Sequence, residues 1–567
     1  MGTNENKSLS YQPLIYGIFF IFAFVLILLR YQPFANDDVF IYFNYARNMA
    51  EGRFFAYDVR NIPSEGFTSL LYLLLLTPFE FFNINMMFAT FVINLTAIII
   101  TCYLFYRLLI ISEVVSQQGA LFVISTIIFI FIFNKNIIDN LNWGLETFLG
   151  TLITFSAALA IAYASPPYSS KRAVNAFFVI LFFAYIVRPE SIAFLGLIGG
   201  LSLFSIREHR KHILISALIF GLVFVAYHGL KYLIFGDILP TGFYRKVGDN
   251  SGEGIRYVLR WVIDHILWIG FLFLLIVAQP KFRAFLKNRG VLVIIGASIV
   301  TLIFFMLTNP LIGVGYRFLM SPTFMLYLLS VTGAVLFLEQ RIKVSQRFYF
   351  GVLTLVIVFM IIAIPIVADG KVVQQINIYA KAEKSISEHY YIQFGNHLHQ
   401  TLSHPDEITL VFGDAGAIPY ALQGVFIDTN GLTEPPLARL FREPDSPEKI
   451  ETYVNHILSY DPDIVVLAWG YVDENGVSQT HVNSHSPFNI PTPLELYTAY
   501  DEHNIIYACS VMFYYELHIG LWKDSPHYDE LQASIASICD ERGYILENGL
   551  TITDGTQSIV FPLDQDQ

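Results

Sequence analysis

The chain runs to 567 residues, 55% of them hydrophobic and 14% charged, with a mean hydropathy of +0.54 and a formal net charge of −12. Soluble domains carry about a quarter charged residues, so this balance excludes an ordinary soluble enzyme and indicates a chain that crosses a membrane many times. The acidic balance excludes nucleic acid as a partner. Three cysteines (Cys102, Cys509 and Cys539) are too few for a disulfide framework, although pairing of Cys509 with Cys539 stays open.

The opening stretch, "MGTNENKSLSYQPLIYGIFFIFAFVLILLR", has one lysine against one glutamate before its apolar run, and no A-x-A site follows. It is read as an uncleaved first span from Tyr11 to Leu29, not a signal peptide. The segment 31–85 that follows opens with "NDDVFIYFNYARNMAEGRFF". Here Asn36 or Asp37 caps an amphipathic helix whose apolar face runs Val39, Phe43, Ala46, Ala50, and Gly52 ends it. An acid pair at a helix start is most often a cap, since acids suit the first turn. Capping is compatible with catalysis, because a cap holds a carboxylate rigidly.

Further spans are predicted near 86–106, 119–133, 144–164, 173–187, 191–206, 213–236, 256–278, 290–308, 319–338 and 347–367. The apolar segment from Gly66, "GFTSLLYLLLLTPFEFF", is short and contains Pro78. Basic loops at Lys171–Arg172, Arg207–His212, Pro280–Arg289 and Gln340–Arg347 all fall on the cytoplasmic side if that segment lies on the outer surface without crossing. The expected architecture is therefore a polytopic α-helical membrane protein of about eleven spans plus one outer interfacial helix, with the N-terminus inside. Residues 1–368 would form the multi-spanning domain. From 369 to 567, runs such as "EITLVFGDAGAIPYAL", "GVFIDTNGL" and "DPDIVVLAWG" alternate β-rich stretches with Gly and Asp turns, which reads as an extracytoplasmic α/β domain.

On this topology one face of the membrane collects the polar residues. The first outer loop holds Asp37, Asp38, Arg47, Glu51 and Glu65, and "NWGLETFLG" brings Glu146 to a span's start. "VRPES" supplies Arg188 and Glu190, "GDILPTGFYRKVGDN" supplies Asp237, Tyr244, Arg245 and Lys246, and "NPLIGVGYRFLMSP" supplies Tyr316 and Arg317. Ionisable groups near spans are costly and face a polar cavity or a partner. Taken singly, each has an ordinary reading: Glu146 pairs with some cation, Arg188 snorkels, and "YRK" anchors at the interface. "VFGDAGAIPY" reads as strand, turn and helix start, more often a tight turn than an anion site. "HVNSH" lacks the glutamate of a zinc helix, and "NLT" at Asn94 lies inside a span, where glycosylation cannot reach it.

Taken in order, the motifs from residue 37 to about 432 resemble the GT-C superfamily of membrane glycosyltransferases. The bacterial branch that includes the terminal arabinofuranosyltransferases of mycobacterial walls is the most similar. The resemblance rests on "NDDVFIYFNYARNMAEG", "SEGFTS", "GLET", "RPE", "GDILPTGFYRKVG", "GYRF", "GDAGAIPY" and "IDTNGL". The chain departs from the branch in having "TNPLIGVGYRF" where Gly-Gly-Asp often precedes the last motif, which leaves a ligand role for that loop open.

The resemblance implies a polyprenyl-phosphate sugar donor and transfer at the outer face of the bacterial cytoplasmic (inner) membrane. The acceptor would be an envelope glycan, a glycolipid or a protein. Transfer needs a base for the acceptor hydroxyl and cations for the departing phosphate. Asp37 or Asp38 is the expected base, with the other orienting it. Arg188, Lys246 and Arg317 are the expected phosphate ligands. Arg47, Glu65, Glu146, Glu190, Tyr244 and Tyr316 are the expected sugar and acceptor contacts. Direct displacement predicts inversion at the anomeric carbon. No cofactor is indicated with certainty, and Mg²⁺ or Mn²⁺ on the Asp37–Asp38 pair is compatible with the ligand chemistry. Two other classes share the architecture, a lipid-linked sugar flippase and a non-catalytic relative. A transporter would place charge at span midpoints, whereas here the span interiors are almost uncharged, Asp264 being the main exception.

Overall fold

The computed structural model describes residues 12–242, 252–308, 314–342, 346–368, 372–440, 443, 446–472, 478–482, 504–512, 515–540, 550–553 and 558–561. The first half is helical throughout: α1 (Gln12–Arg30), α2 (Asp37–Ala50), α3 (Leu70–Phe81), α4 (Met86–Ile111), α5 (Gln117–Phe133), α6 (Lys135–Asn142), α7 (Thr147–Ala164), α8 (Lys171–Val187), α9 (Ser191–Phe204) and α10 (Arg210–Phe235). The helices Glu253–Asp264, Ile266–Ala278, Arg289–Leu307, Met320–Phe337 and Gln346–Val367 follow. Each predicted span is thus a helix or a bent pair of helices. Among the described residues seven helices are long and apolar enough to cross a membrane, or nine if each of two bent pairs counts as one. The protein is a multi-pass membrane protein.

Two departures from the expected spans have local causes. The segment predicted as one span over 256–278 is broken, with a 65° bend between Glu253–Asp264 and Ile266–Ala278. The helix before the bend, "EGIRYVLRWVID", carries Glu253, Arg256, Arg260 and Asp264, and suits a membrane surface better than a membrane interior. The span predicted from 144 starts at Thr147, because Gly144 takes a left-handed φ of 72°. A Cβ there would lie 2.9 Å from the Thr90 hydroxyl oxygen.

The helix α3 has 12 residues and is capped by Ser69, whose hydroxyl accepts from the Tyr72 N–H at 3.3 Å. At 1.5 Å per residue it is about 18 Å long, short of the ~30 Å hydrocarbon core. That length suits the surface placement that the charge distribution suggested.

The C-terminal portion carries a six-stranded sheet in the order β2 (Val425–Asp428), β1 (Thr409–Phe412), β3 (Ile464–Val472), β6 (Tyr515–Trp522), β5 (Asn504–Met512), with β4 (Ser478–Val482) also on β3. Strands β2, β1 and β3 run parallel, and β6, β5 and β4 pair antiparallel. Alternation along β1 and β2 sends Leu410, Phe412 and Phe426 to one face and Val411 and Ile427 to the other. The first face packs on Tyr391, Phe394 and Leu398 of the helix Tyr390–Thr401, the second on Tyr453, Val454 and Ile457 of the helix Pro447–Leu458.

The first face does not end at the domain boundary expected near residue 368. One buried cluster includes Phe40, Phe43 and Tyr57 of the segment 31–85 together with Ala417, Ile418 and Phe426. The Tyr57 and Phe426 rings lie 5.6 Å apart, and Phe40 lies 5.4 Å from Tyr420. The helix α2 is therefore clasped between the spans and the C-terminal sheet, which sets the site.

Candidate active site

Asn36 caps α2, its side-chain oxygen accepting from the Asp38 N–H at 3.0 Å. Asp37 and Asp38 occupy the first turn as the cap predicts, and successive side chains on a helix diverge by about 100°. The Asp37 Oδ1 accepts from the Ala417 N–H at 2.8 Å, at the start of the short helix Ala417–Leu422. The helix start in "VFGDAGAIPY", read from sequence as more often a tight turn than an anion site, thus receives an acid of the chain itself. Burial, then the nearby Asp414, push the Asp37 carboxyl well up, against the Ala417 hydrogen bond.

Asp38 turns the other way. It lines a cleft of about 490 Å³ with Tyr42, Thr68, Glu146 and Arg317, and its Oδ2 lies 3.5 Å from the Arg317 Nη1. The position of Glu146 follows from the "NWGLET" turn. The Asn142 side-chain oxygen accepts from the Gln32 N–H at 3.0 Å, the Tyr72 hydroxyl donates to the Gly144 carbonyl at 2.5 Å, and the Asn94 Nδ2 donates to the Leu145 carbonyl at 2.9 Å. Glu146 stands at the N-cap of α7 without capping it, so its carboxylate is left to accept from the Arg188 Nη2 at 3.1 Å. The Arg188 Nη1 donates to Glu190 at 3.0 Å.

Arg317 joins this cleft to a second one. That second cleft, of about 500 Å³, runs among α7, α9 and the helices Arg289–Leu307 and Met320–Phe337, and is lined by Thr147, Thr151, Arg188, Glu190, Arg317 and Phe318. The Arg188 and Arg317 guanidinium carbons each lie 4.7 Å from the Phe318 ring centroid, a cation–π contact for both. Arg188 has two carboxylate partners, whereas the buried Arg317 Nε has no hydrogen-bond partner among the described residues.

The loop that carries Arg317 is strained. Gly315 and Tyr316 both take left-handed φ, 60° and 56°, which for tyrosine is uncommon. The Asn140 Nδ2 donates to the Gly315 carbonyl at 2.8 Å and holds the turn. The Tyr316 hydroxyl donates to Asp264 Oδ2 at 2.5 Å, so Tyr316 is turned toward the helix break and not toward the Asp38 cleft.

The other predicted contacts are dispersed. The Arg47 Nη1 donates to the Tyr420 carbonyl at 2.7 Å and its guanidinium stacks on that ring at 4.6 Å; it lies three turns along α2 from the acids. Glu65 is buried, and its Oε2 lies 2.7 Å from the Lys231 Nζ, a cation on α10 that the sequence reading passed over. The structure thus brings together Asp38, Glu146, Arg188, Glu190 and Arg317, sets Asp37 just behind them, and leaves Arg47, Glu65 and Tyr316 outside. Tyr244 and Lys246 lie outside the described residues. Two residues at the site were not singled out: Phe318, although it stands in the quoted "GYRF", and Asp414, in the quoted "GDAGAIPY"; outside the site, Lys231, a lone cation in the apolar run "YHGLKYLIF", was not singled out either.

A divalent ion does not suit this donor set. The Asp37 Oδ1 is engaged by a backbone N–H and Asp38 faces a guanidinium. Among the described residues no three His, Cys, Asp or Glu groups converge as ligands. No step below is routed through a metal.

Residues 377–514 match the model of a domain family described as a domain of unknown function, DUF8728. No curated protein matches the chain. The crystal structure of ArnT from Cupriavidus metallidurans in the apo state is similar in fold, with a TM-score of 0.55 at 12% identity, over 90% of this chain and 98% of that one. The structure of the same protein bound to undecaprenyl phosphate gives a TM-score of 0.54 at 12% identity, over the same shares. The chain has the GT-C-like membrane fold with a C-terminal domain. At this identity the likeness concerns the fold, and function has to be argued from the site.

Proposed function

We propose that the protein is a glycosyltransferase that moves a sugar from a polyprenyl-phosphate donor to a hydroxyl of an envelope glycan, glycolipid or protein, at the outer face of the cytoplasmic membrane. The observation that carries this reading is the opposition of Asp38 and Arg317 across one cleft, with Arg317 shared by a second cleft that runs among the helices. The fold shared with a protein crystallised with undecaprenyl phosphate supports a lipid phosphate as donor. The ordered motifs favour the branch that includes arabinofuranosyltransferases.

In this reading Asp38 is the base. As the acceptor oxygen bonds to the anomeric carbon, its proton passes to the Asp38 carboxylate, and the anomeric C–O bond to phosphate breaks with its electron pair leaving on the phosphate oxygen. Attack from the face opposite the leaving group inverts the centre. Arg317 faces the phosphate, because its Nε is buried without a partner and a guanidinium can grip two phosphate oxygens. Arg188 is largely neutralised by Glu146 and Glu190; it holds Phe318 and through it Arg317. Glu146 is placed to orient a sugar hydroxyl in the Asp38 cleft.

The test uses the purified protein in nanodiscs with polyprenyl-phosphate sugars extracted from its host and envelope extract as acceptor, followed by mass spectrometry. Wild type is expected to consume one sugar-lipid and release polyprenyl phosphate. Asp38→Asn is expected to be slower by about 10²–10⁴-fold, the usual worth of a positioned base. Equal consumption by a folded Asp38→Asn variant would move the base elsewhere.

A further inference from the structure

A further cavity, of about 570 Å³, lies away from both clefts. Ile111 at the end of α4, Ala162 at the end of α7, and Lys287 and Arg289 around the start of the helix Arg289–Leu307 all line it. Two of these helices also line the second cleft, α7 from Thr147 and the helix Arg289–Leu307 as far as Phe305. From Thr147 to Ala162, and from Phe305 back to Arg289, the helix axes rise about 22–24 Å. That is most of the ~30 Å hydrocarbon core. The cavity therefore opens at the membrane face opposite the Asp38 cleft.

Packing between helices shapes this cavity. The Asn288 Nδ2 donates to the Ser112 hydroxyl oxygen at 3.1 Å, and its Oδ1 accepts from the Gly290 N–H at 2.9 Å, which ties the helix start to the end of α4. A Cβ at Gly290 would lie 2.6 Å from the Ala158 carbonyl oxygen, so this helix and α7 touch just inside the cavity and give it a floor. Ser165 and Tyr168 complete the lining, the Tyr168 ring packing on Tyr163 at 5.3 Å. Among the described residues neither Lys287 nor Arg289 is in an ion pair, and the Arg289 Nη1 makes one long contact, 3.5 Å, to the Ser202 carbonyl. Of the acids in adjoining loops, Glu208 accepts from the Ser169 hydroxyl at 2.9 Å and Glu113 is exposed beyond α4. Helix stability does not explain Arg289, because a cation in the first turn opposes the helix dipole. Nor does the charge asymmetry of the loops, which Lys281 and Arg283 already supply without lining the cavity.

We propose that this cavity binds the phosphate headgroup of an anionic phospholipid of the bilayer. Two cations without carboxylate partners in one cavity call for an anion, and a guanidinium beside an ammonium suits the several oxygens of a phosphate. The Tyr168 hydroxyl adds a hydrogen bond for the rest of the headgroup. The source is a lipid, because the cavity stands at the ends of spans and apolar surface continues from it into the bilayer. Leu292, one turn in from Arg289, and Tyr103, two turns back along α4 from Ile111, are both exposed there. Basic pockets between spans take anionic headgroups by this chemistry. No group of the transfer centre takes part, so the inference does not rest on the transfer reading.

The experiment titrates the full chain in detergent with short-chain phosphatidylglycerol and, in parallel, with phosphatidylcholine, and counts bound lipid by native mass spectrometry. Wild type is expected to hold one phosphatidylglycerol more tightly than any phosphatidylcholine. The double variant Lys287→Gln, Arg289→Gln is expected to weaken that binding about thirtyfold, at about 1 kcal/mol for each cation. Should it fail to fold, Lys287→Gln alone removes an exposed side chain and is expected to weaken binding about fivefold. The control Lys281→Gln, Arg283→Gln takes two charges from the same loop outside the cavity and is expected to bind like wild type. Equal affinity of wild type for the two lipids overturns the proposal. So does equal weakening by the two double variants, which would assign the binding to diffuse charge. Glycerol phosphate, a headgroup without chains, is expected to leave the lipid in place; its displacement of the lipid would assign the cavity to a soluble phosphate and overturn the lipid reading.

Discussion

Two arginines on one phenylalanine do different work, and their partners say why. Arg188 is bound by Glu146 and Glu190, and the Glu146 carboxylate is almost fully buried. Replacing Arg188 with alanine strands that carboxylate, at a cost of about 3–5 kcal/mol, so Arg188→Ala is expected to lower Tm sharply. Arg317 has one carboxylate at 3.5 Å and an unpaired Nε. Arg317→Gln is expected to melt close to wild type and to lose about 10²–10³-fold in kcat, as removal of a donor from a developing anion does. Melting curves and turnover measured on the same two preparations separate them. The reverse pattern, an unstable Arg317→Gln and a stable but inactive Arg188→Ala, would exchange the roles. Asp37 and Asp38 make the same point. They are neighbours in sequence, yet one faces a backbone N–H of the C-terminal portion and the other faces the cleft.

Between elements, the buried Glu65–Lys231 pair ties the segment between α2 and α3 to α10, whose own surface is mostly exposed. Thr241, just beyond α10, adds its N–H and hydroxyl to the Glu65 carbonyl, at 3.3 and 2.8 Å. Burial pushes the Glu65 carboxyl up to about 7 from an ordinary 4.5, with Lys231 opposing the shift. The folded protein therefore holds that proton more tightly than the unfolded chain. The stability this contributes is complete below pH 4.5 and is lost as pH rises through 7. Wild-type Tm is expected to fall between pH 5 and 8, and Glu65→Gln to flatten that decline. An unchanged slope in the variant would assign the titration to another group. The bend at Asp264 belongs to this scale too. The 23 residues 256–278 read as one span, but Arg256, Arg260 and Asp264 all fall in the first part, which bends away from the apolar second part.

Across the whole molecule, the segment 31–85 is a dock for the C-terminal sheet. The Asp58 Oδ2 accepts from the Phe426 N–H at 3.0 Å, and Arg60 donates to the Phe426 carbonyl at 2.8 Å. Arg60 also bridges Asp58 at 2.8 Å and Glu434 at 2.9 Å, both buried carboxylates. Arg60→Ala leaves two buried acids without their shared cation, although His456 still reaches Glu434 at 3.1 Å. The expected cost is about 3 kcal/mol, with Tm and turnover falling together because the sheet carries the turn that seats Asp37. A folded Arg60→Ala of wild-type stability would show that apolar packing alone holds the dock.

The sequence by itself determined the membrane character, the helical spans, the capped helix with its acid pair and the presence of strands within 369–567. Each of these is written in local composition or period, which a single segment carries. It also placed Glu146, Glu190, Arg188 and Arg317 at span ends, where charge is rare enough to be read as functional. Only the tertiary structure decided which of them meet. Asp37 and Asp414 are 377 positions apart, as their numbers show, and no pattern along a chain encodes a carboxylate resting on a distant glycine. Lys231 lay unnoticed in an apolar helix until Glu65 faced it, and Arg47 left the expected site because Tyr420 offered a ring and a carbonyl. Pairing between charges depends on distance through space, and burial strengthens it many-fold, so it is settled when the helices and the sheet close around them.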